Sequence, residues 1–69
     1  MSSRKKWRLK LMPSFRYAQA SSKVDAYRKV DMYRREYALG WHVHGANVEV
    51  DEGNGWALYE RVIFPERDA

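Results

Sequence analysis

One long segment of the sequence has the apolar period of an α-helix, and the segments on either side alternate as β-strands do. Apolar side chains recur at spacings of four, three and four, at Ala26, Val30, Tyr33 and Tyr37. This spacing places them along one helix face. Ser22 is a favourable N-cap with Asp25 in the first turn, and Gly40 provides a stop. We therefore predict a single amphipathic helix from about Ser22 to Gly40.

Three alternating segments predict three strands. From Trp7 to Leu11, apolar residues alternate with Arg8 and Lys10, and Pro13 ends the segment. The second strand is expected to start at Trp41, directly after the helix, although its alternation shifts by one residue near Gly45. Such a shift indicates a β-bulge or a tight bend.

The remaining strand follows a hairpin turn. Glu52-Gly53-Asn54-Gly55 is typical of a β-turn, because glycine and asparagine tolerate the positive φ that such turns need. Trp56 to Phe64 then forms the third strand. With a loop at Gly53 to Gly55, Ala46 would face Val62 and Val50 would face Leu58.

These elements predict a single small α+β domain with the order β-α-β-β. Residues 14–20 are interpreted as a connection, so the helix carries the chain from the first strand to a parallel second strand. The expected sheet is mixed and three-stranded, in the order 1-3-2, with the helix on one face. The domain would span residues 7–64, between a basic arm at 1–6 and a polar tail at 65–69.

Composition limits how such a domain is stabilised. The 69 residues include no cysteine, which excludes disulfides and cysteine-based metal sites, but they include three Trp and five Tyr that can fill a small core. No apolar run is long enough to cross a bilayer and no secretory signal is visible at the N-terminus, so we expect a cytoplasmic protein without membrane contact.

The sequence favours a binding protein over an enzyme. It contains no nucleophile beside a base, no phosphate-binding glycine loop and no carboxylate pair at a defined spacing, so neither catalysis nor a cofactor is expected. His42 and His44 would face the same side of a strand and could share a metal with a carboxylate, but two histidines without a third ligand are more often surface or partly packed residues. The pair could also act as a pH-sensitive surface patch. Glu60, on the apolar face of the third strand, is expected to pair with a lysine or arginine.

The charge is polarised along the chain, which suits a nucleic-acid contact and equally suits head-to-tail self-association or internal compensation within the fold. Residues 1–17 carry six basic groups and no acidic one, whereas residues 40–69 carry six acidic groups and two basic ones. One helix covers one face of a sheet, and the other face would be basic and aromatic, like sheets that bind nucleic acid. The candidate contact residues on this face and on the arm are Arg4, Lys5, Lys6, Arg8, Lys10, His42, His44, Tyr59 and Arg61.

Two partners are consistent with this face. In the first interpretation it binds DNA or RNA, with Tyr59 stacking on a base and the cations on phosphates. In the second, the uncovered aromatic face and Ile63 pack against a second copy of the chain or against another protein. A salt titration of binding and a measurement of mass in solution would separate them.

In overall pattern the chain resembles the small accessory proteins of actinobacterial phages. The resemblance rests on the short Trp-containing strand at Trp7, the capped helix ending at Gly40-Trp41 and the Gly-Asn-Gly turn before Trp56. It covers most of residues 7–64, includes no diagnostic motif and transfers no functional residue. It implies a protein that modulates host or phage macromolecules by binding them, so that the protein partner of the second interpretation would be a host or phage protein. If the protein is phage-encoded, the cytoplasm in which it is expected is that of the host cell.

Overall fold

The computed structural model describes residues 5–13 and 16–65, which form four strands and one helix. In chain order these are β1 (Lys6–Met12), β2 (Tyr17–Ala20), α1 (Lys23–Ala38), β3 (Gly45–Asp51) and β4 (Trp56–Ile63). The strands form one sheet in the order β2-β1-β3-β4, and every neighbouring pair is antiparallel. The protein is thus a small α+β domain, but the predicted three-stranded mixed sheet in the order 1-3-2 is wrong.

The additional strand, β2, lies in the segment that was interpreted as a connection. After Pro13 the chain turns back, and Tyr17–Ala20 pairs with β1 so that Trp7 faces Ala20 and Lys10 faces Tyr17. Because β2 and β3 are both antiparallel to β1 and lie on either side of it, they are parallel to each other. The helix therefore connects β2 to β3 across the inserted β1, which is a split β-α-β arrangement.

The irregularity in the last hairpin lies in β4 and not near Gly45. β3 begins only at Gly45, because residues 41–44 form an irregular connection. Ala46 faces Val62 as predicted, but the register shifts at Val48/Glu49, so that Val50 faces Ala57 instead of Leu58. The shift leaves Tyr59 as one extra residue on β4, which is a β-bulge. As a result Leu58 and Tyr59 lie on the faces opposite to those expected.

The helix is confirmed at both ends. The Ser22 hydroxyl accepts a hydrogen bond from the Asp25 N–H at 3.1 Å, and Gly40, just past the end of α1, has φ +110°. The Lys29 ammonium, and next the Ser21 N–H, hold the pKa of the Asp25 carboxyl below its usual value. No helix within residues 5–13 and 16–65 is long and apolar enough to span a bilayer.

The core lies between α1 and the sheet face toward it. α1 packs against β1, β2 and β3, and contributes the buried Ala26 and Val30. Val43 and Phe64 close the end of the core beyond Gly45. The buried strand residues are Trp7, Leu9 and Leu11 of β1 and Ala46, Val48 and Val50 of β3. The sheet face toward α1 is called the inner face below, and the opposite one the outer face.

Candidate functional site

The outer face is the open side of the sheet, because α1, the one helix in the described ranges, packs on the inner face. Its members follow from strand alternation and from the pairing of the strands. They are Lys6, Arg8, Lys10, Met12, Tyr17, Gln19, Gly45, Asn47, Glu49, Asp51, Trp56, Leu58, Arg61 and Ile63. Four of these are basic and two are acidic, so the face combines excess positive charge with aromatic side chains.

Arg8 lies at the centre of the outer face and is held by three side chains. Its guanidinium carbon is 4.0 Å from the ring centroid of Tyr17 and 4.1 Å from that of Trp56. Tyr17 is on β2 and Trp56 is on β4, so the rings approach Arg8 from opposite sides. Arg8 Nε also donates to Glu49 Oε1 at 2.7 Å. We call these four side chains the Arg8 cluster.

The other cations of the outer face surround this cluster. Lys10 and Arg61 occupy one row across the sheet, in which Tyr17 faces Lys10, Lys10 faces Asn47 and Asn47 faces Arg61. Lys6 starts β1 at the end where the β3–β4 hairpin lies, opposite Asp51. The Asp51 carboxylate accepts from the N–H groups of Gly53 and Gly55, at 2.7 and 3.2 Å, so it stabilises the hairpin turn.

Several predicted contact residues do lie together. Lys6, Arg8, Lys10 and Arg61 share the outer face. Lys5, near the end of the predicted arm and next to β1, pairs with Glu52 of the hairpin at 3.1 Å. Arg4 lies outside the described residues.

Tyr59 is not on the outer face. Its ring centroid is 5.2 Å from that of Trp7 and 6.5 Å from that of Tyr27 on α1, and the Lys23 ammonium lies 4.8 Å from its centroid. The β-bulge turns this side chain toward the helix, so stacking of Tyr59 on a base from the open side is excluded by geometry. Tyr59 remains 47% exposed and lies against Trp7 and Tyr27 at the margin of the core.

The two histidines do not belong to the outer face either. His42 and His44 are exposed residues of the connection between α1 and β3, and the His44 N–H donates to the Met12 carbonyl at 2.9 Å. This places them at the end of the sheet away from Trp56. Among the described residues, no three His, Cys, Asp or Glu side chains are grouped so that they could hold a metal ion.

Sequence reasoning missed the two aromatic side chains of the Arg8 cluster. The sequence places Tyr17 in a connection and Trp56 at the start of a strand. The signal for β2 is the alternation of Tyr17 and Gln19 with Ala18 and Ala20, and four residues are too few for such an alternation to indicate a strand. Trp56 shares the alternation of Leu58, so the sequence places it on the inner face, and the β-bulge at Tyr59 moves both side chains to the outer face.

A second feature lies on the inner side, between α1 and β4. A shallow pocket of about 320 Å³ is lined by Tyr27, Val30, Asp31, Arg34, Glu60 and Val62. The Tyr27 hydroxyl donates to the Glu60 carboxylate, so the partner of Glu60 is this phenol and not the expected lysine or arginine. Burial, and then the hydrogen bond to Glu60, raise the pKa of Tyr27 above its usual value. Asp31 is paired with Arg34 and Arg35.

Comparison with protein family models, with curated proteins and with solved structures found no match to this chain. The functional interpretation therefore depends on the geometry of the outer face.

Proposed function

We propose that this protein is a small non-enzymatic binding protein that contacts single-stranded DNA or RNA through the outer face of its sheet. The observation that carries the proposal is the Arg8 cluster, in which Tyr17 and Trp56 flank a fixed guanidinium on an open sheet face. Open sheets with exposed aromatic rings are a common platform for single strands, since every base has a π-face that can stack.

The cations around the cluster support a contact with phosphates. Lys6, Lys10 and Arg61 lie on the same face, on both sides of the Arg8 cluster. A strand that stacks bases near Tyr17 and Trp56 would run its backbone past these side chains. Lys5 and the basic residues before it would extend the contact at the hairpin end. A regulatory or accessory role, as the phage resemblance implies, would then be exerted through this contact.

The shape of the face favours single strands over duplex. The major groove of B-DNA is about 12 Å wide and admits a helix or a two-stranded ribbon. The outer face is formed by four strands about 4.8 Å apart, which is wider than the groove. Unstacked bases can instead lie flat on such a surface.

The test is a fluorescence titration with single-stranded and duplex oligonucleotides at several salt concentrations. Arg61→Glu should weaken single-strand binding by about fivefold and lower the log-log salt slope by about 0.7, the value for one phosphate contact. Arg28→Glu is the matched control, because Arg28 is also an exposed arginine but lies on α1. Absence of binding to any single strand at low salt, or equal effects of the two substitutions, would overturn the proposal.

A second candidate function is self-association or binding of another protein. It is favoured by Leu58 and Ile63, which lie on the outer face and remain 55% and 60% exposed. β4 is also an edge strand of eight residues, with one side of its backbone unpaired within the described sheet. Sedimentation of the wild type and of Leu58→Lys tests this candidate: a dimer that the substitution dissociates supports it, and a wild-type monomer at high concentration argues against self-association.

A further inference from the structure

The Arg8 side chain is fixed in a way that is uncommon for an arginine on an open sheet face. The rings of Tyr17 and Trp56 lie against the guanidinium, and the side chain is only 20% exposed. Its partner Glu49 is only 15% exposed. Holding a long side chain in one geometry costs conformational entropy, and Arg8 loses this entropy when the protein folds, before any ligand binds. A ligand that binds Arg8 would therefore meet a preorganised group.

The ion pair with Glu49 uses the Nε group of Arg8. Glu49 accepts from Nε, at 2.7 Å. The two terminal amino groups of the guanidinium take no part in this bond, and together they carry a pair of parallel N–H donors. The edge with these donors can hydrogen-bond two acceptors that lie side by side in one plane.

Glu49 also changes the kind of acceptor that Arg8 prefers. Its carboxylate compensates the charge of Arg8 inside a largely covered pair. A phosphate bound at Arg8 would bring a second anion close to this carboxylate, which is unfavourable. Neutral acceptors meet no such repulsion, so Arg8 is better suited to a nucleobase, whereas Lys6, Lys10 and Arg61 suit phosphates.

We infer that the Arg8 cluster is a guanine-binding site for single-stranded nucleic acid, an inference that rests on the proposed function above. Guanine presents O6 and N7 as two adjacent acceptors, which is the most frequent target of a bidentate arginine. Adenine has a donor beside its N7 and cannot match the same edge. A guanine bound to this edge would lie in the plane of the guanidinium and at the rim of Tyr17 and Trp56, whose ring centroids are 4.0 and 4.1 Å from the Arg8 guanidinium carbon. Glu49 acts as a positioning residue for Arg8.

The test compares oligothymidylates that carry one central substitution. A single guanine should bind roughly tenfold more tightly than a single adenine or cytosine, as expected for one bidentate contact. Hypoxanthine keeps O6 and N7 and should bind like guanine, whereas 7-deazaguanine lacks N7 and should lose most of the preference. Binding without a preference for guanine, or a preference for cytosine, would overturn the guanine site while leaving the proposed function intact. Absence of binding to every oligomer would overturn both.

Two variants test the roles of the residues, with circular dichroism as the check of folding. Arg8→Lys keeps the charge but loses the planar pair of donors, so the preference for guanine should disappear while salt-dependent binding remains. Glu49→Gln removes the negative charge and keeps an amide oxygen as acceptor for Arg8 Nε. Arg8 should then bind a phosphate, and the log-log salt slope of binding should rise by about 0.7. Retention of the guanine preference in Arg8→Lys, or an unchanged salt slope in Glu49→Gln, would contradict the assigned roles.

Discussion

The two faces of the sheet are made by the same strands but have different tasks. In β1, Trp7, Leu9 and Leu11 are buried under α1, while Arg8 and Lys10 alternate with them on the outer face. The inner residues contribute to stability because they remove apolar surface from water. The outer residues remain accessible to a ligand. Substitutions at neighbouring positions of one strand should therefore separate folding from binding.

The largest effect on this comparison is expected from Leu9→Ala. Leu9 is completely buried, so its truncation should lower the free energy of unfolding by about 3 kcal/mol through lost burial and a cavity. Leu58→Ala is the matched control on the outer face, where the side chain is 55% exposed, and should cost less than about 0.5 kcal/mol. Urea unfolding followed by circular dichroism measures both. Similar costs for the two leucines would mean that the faces are not distinct in stability.

The second-largest effect is expected from Gly45→Ala, which tests how closely β3 and β4 approach each other at the end of the sheet near Phe64. A Cβ at Gly45 would lie 2.9 Å from the Val62 carbonyl oxygen, which belongs to the backbone and cannot rotate away. We expect a loss of about 1 to 3 kcal/mol in the free energy of unfolding, as for other overpacked sites. The same urea titration measures it. A cost close to zero would show that β3 and β4 can separate here without penalty.

The helix could be predicted from the sequence because everything that defines it is local. The cap at Ser22, the apolar stripe through Ala26 and Val30 and the stop at Gly40 lie within one segment. Each of these features acts over a few residues and needs no information about the rest of the chain.

The sheet could be predicted only in part, because its order depends on distant pairings. β2 has four residues, and its stability as a strand comes from β1, to which the chain returns after Pro13. The bulge at Tyr59 is fixed by the register against β3 and has no sequence pattern of its own. The aromatic side chains that can contact a ligand on the outer face are therefore Tyr17 and Trp56, and not Tyr59 as the sequence predicts. Strand alternation alone is sufficient to place the basic residues Arg8, Lys10 and Arg61 on this face.

A smaller effect is expected from loosening the helix that covers the inner face. Ser22→Ala removes the acceptor for the Asp25 N–H and should lower the free energy of unfolding by about 1 kcal/mol. Ser21→Ala is the control, because it keeps the Ser22 cap and the Ser21 backbone N–H that donates to Asp25 at 2.9 Å, and it removes only the Ser21 hydroxyl, a weaker partner of Asp25. Thermal unfolding of both variants gives the comparison. If Ser21→Ala costs as much as Ser22→Ala, the cap does not set the start of α1.

The smallest effect is expected from Tyr27→Phe. The Tyr27 hydroxyl donates to Glu60 of β4, at the side of the inner face that α1 covers least. Tyr27→Phe should cost less than about 1 kcal/mol at neutral pH, since the hydrogen bond is partly exposed. Because the pKa of Tyr27 is raised by burial and by Glu60, the folded protein keeps this proton when the unfolded chain loses it near pH 10. The stabilisation by Tyr27 is therefore complete below pH 10 and is lost as the pH rises further. Urea titrations between pH 8 and about 11 should show that the difference in free energy of unfolding between wild type and Tyr27→Phe shrinks as the pH rises. A difference that stays constant would mean that Tyr27 has the same pKa in the folded and unfolded chain.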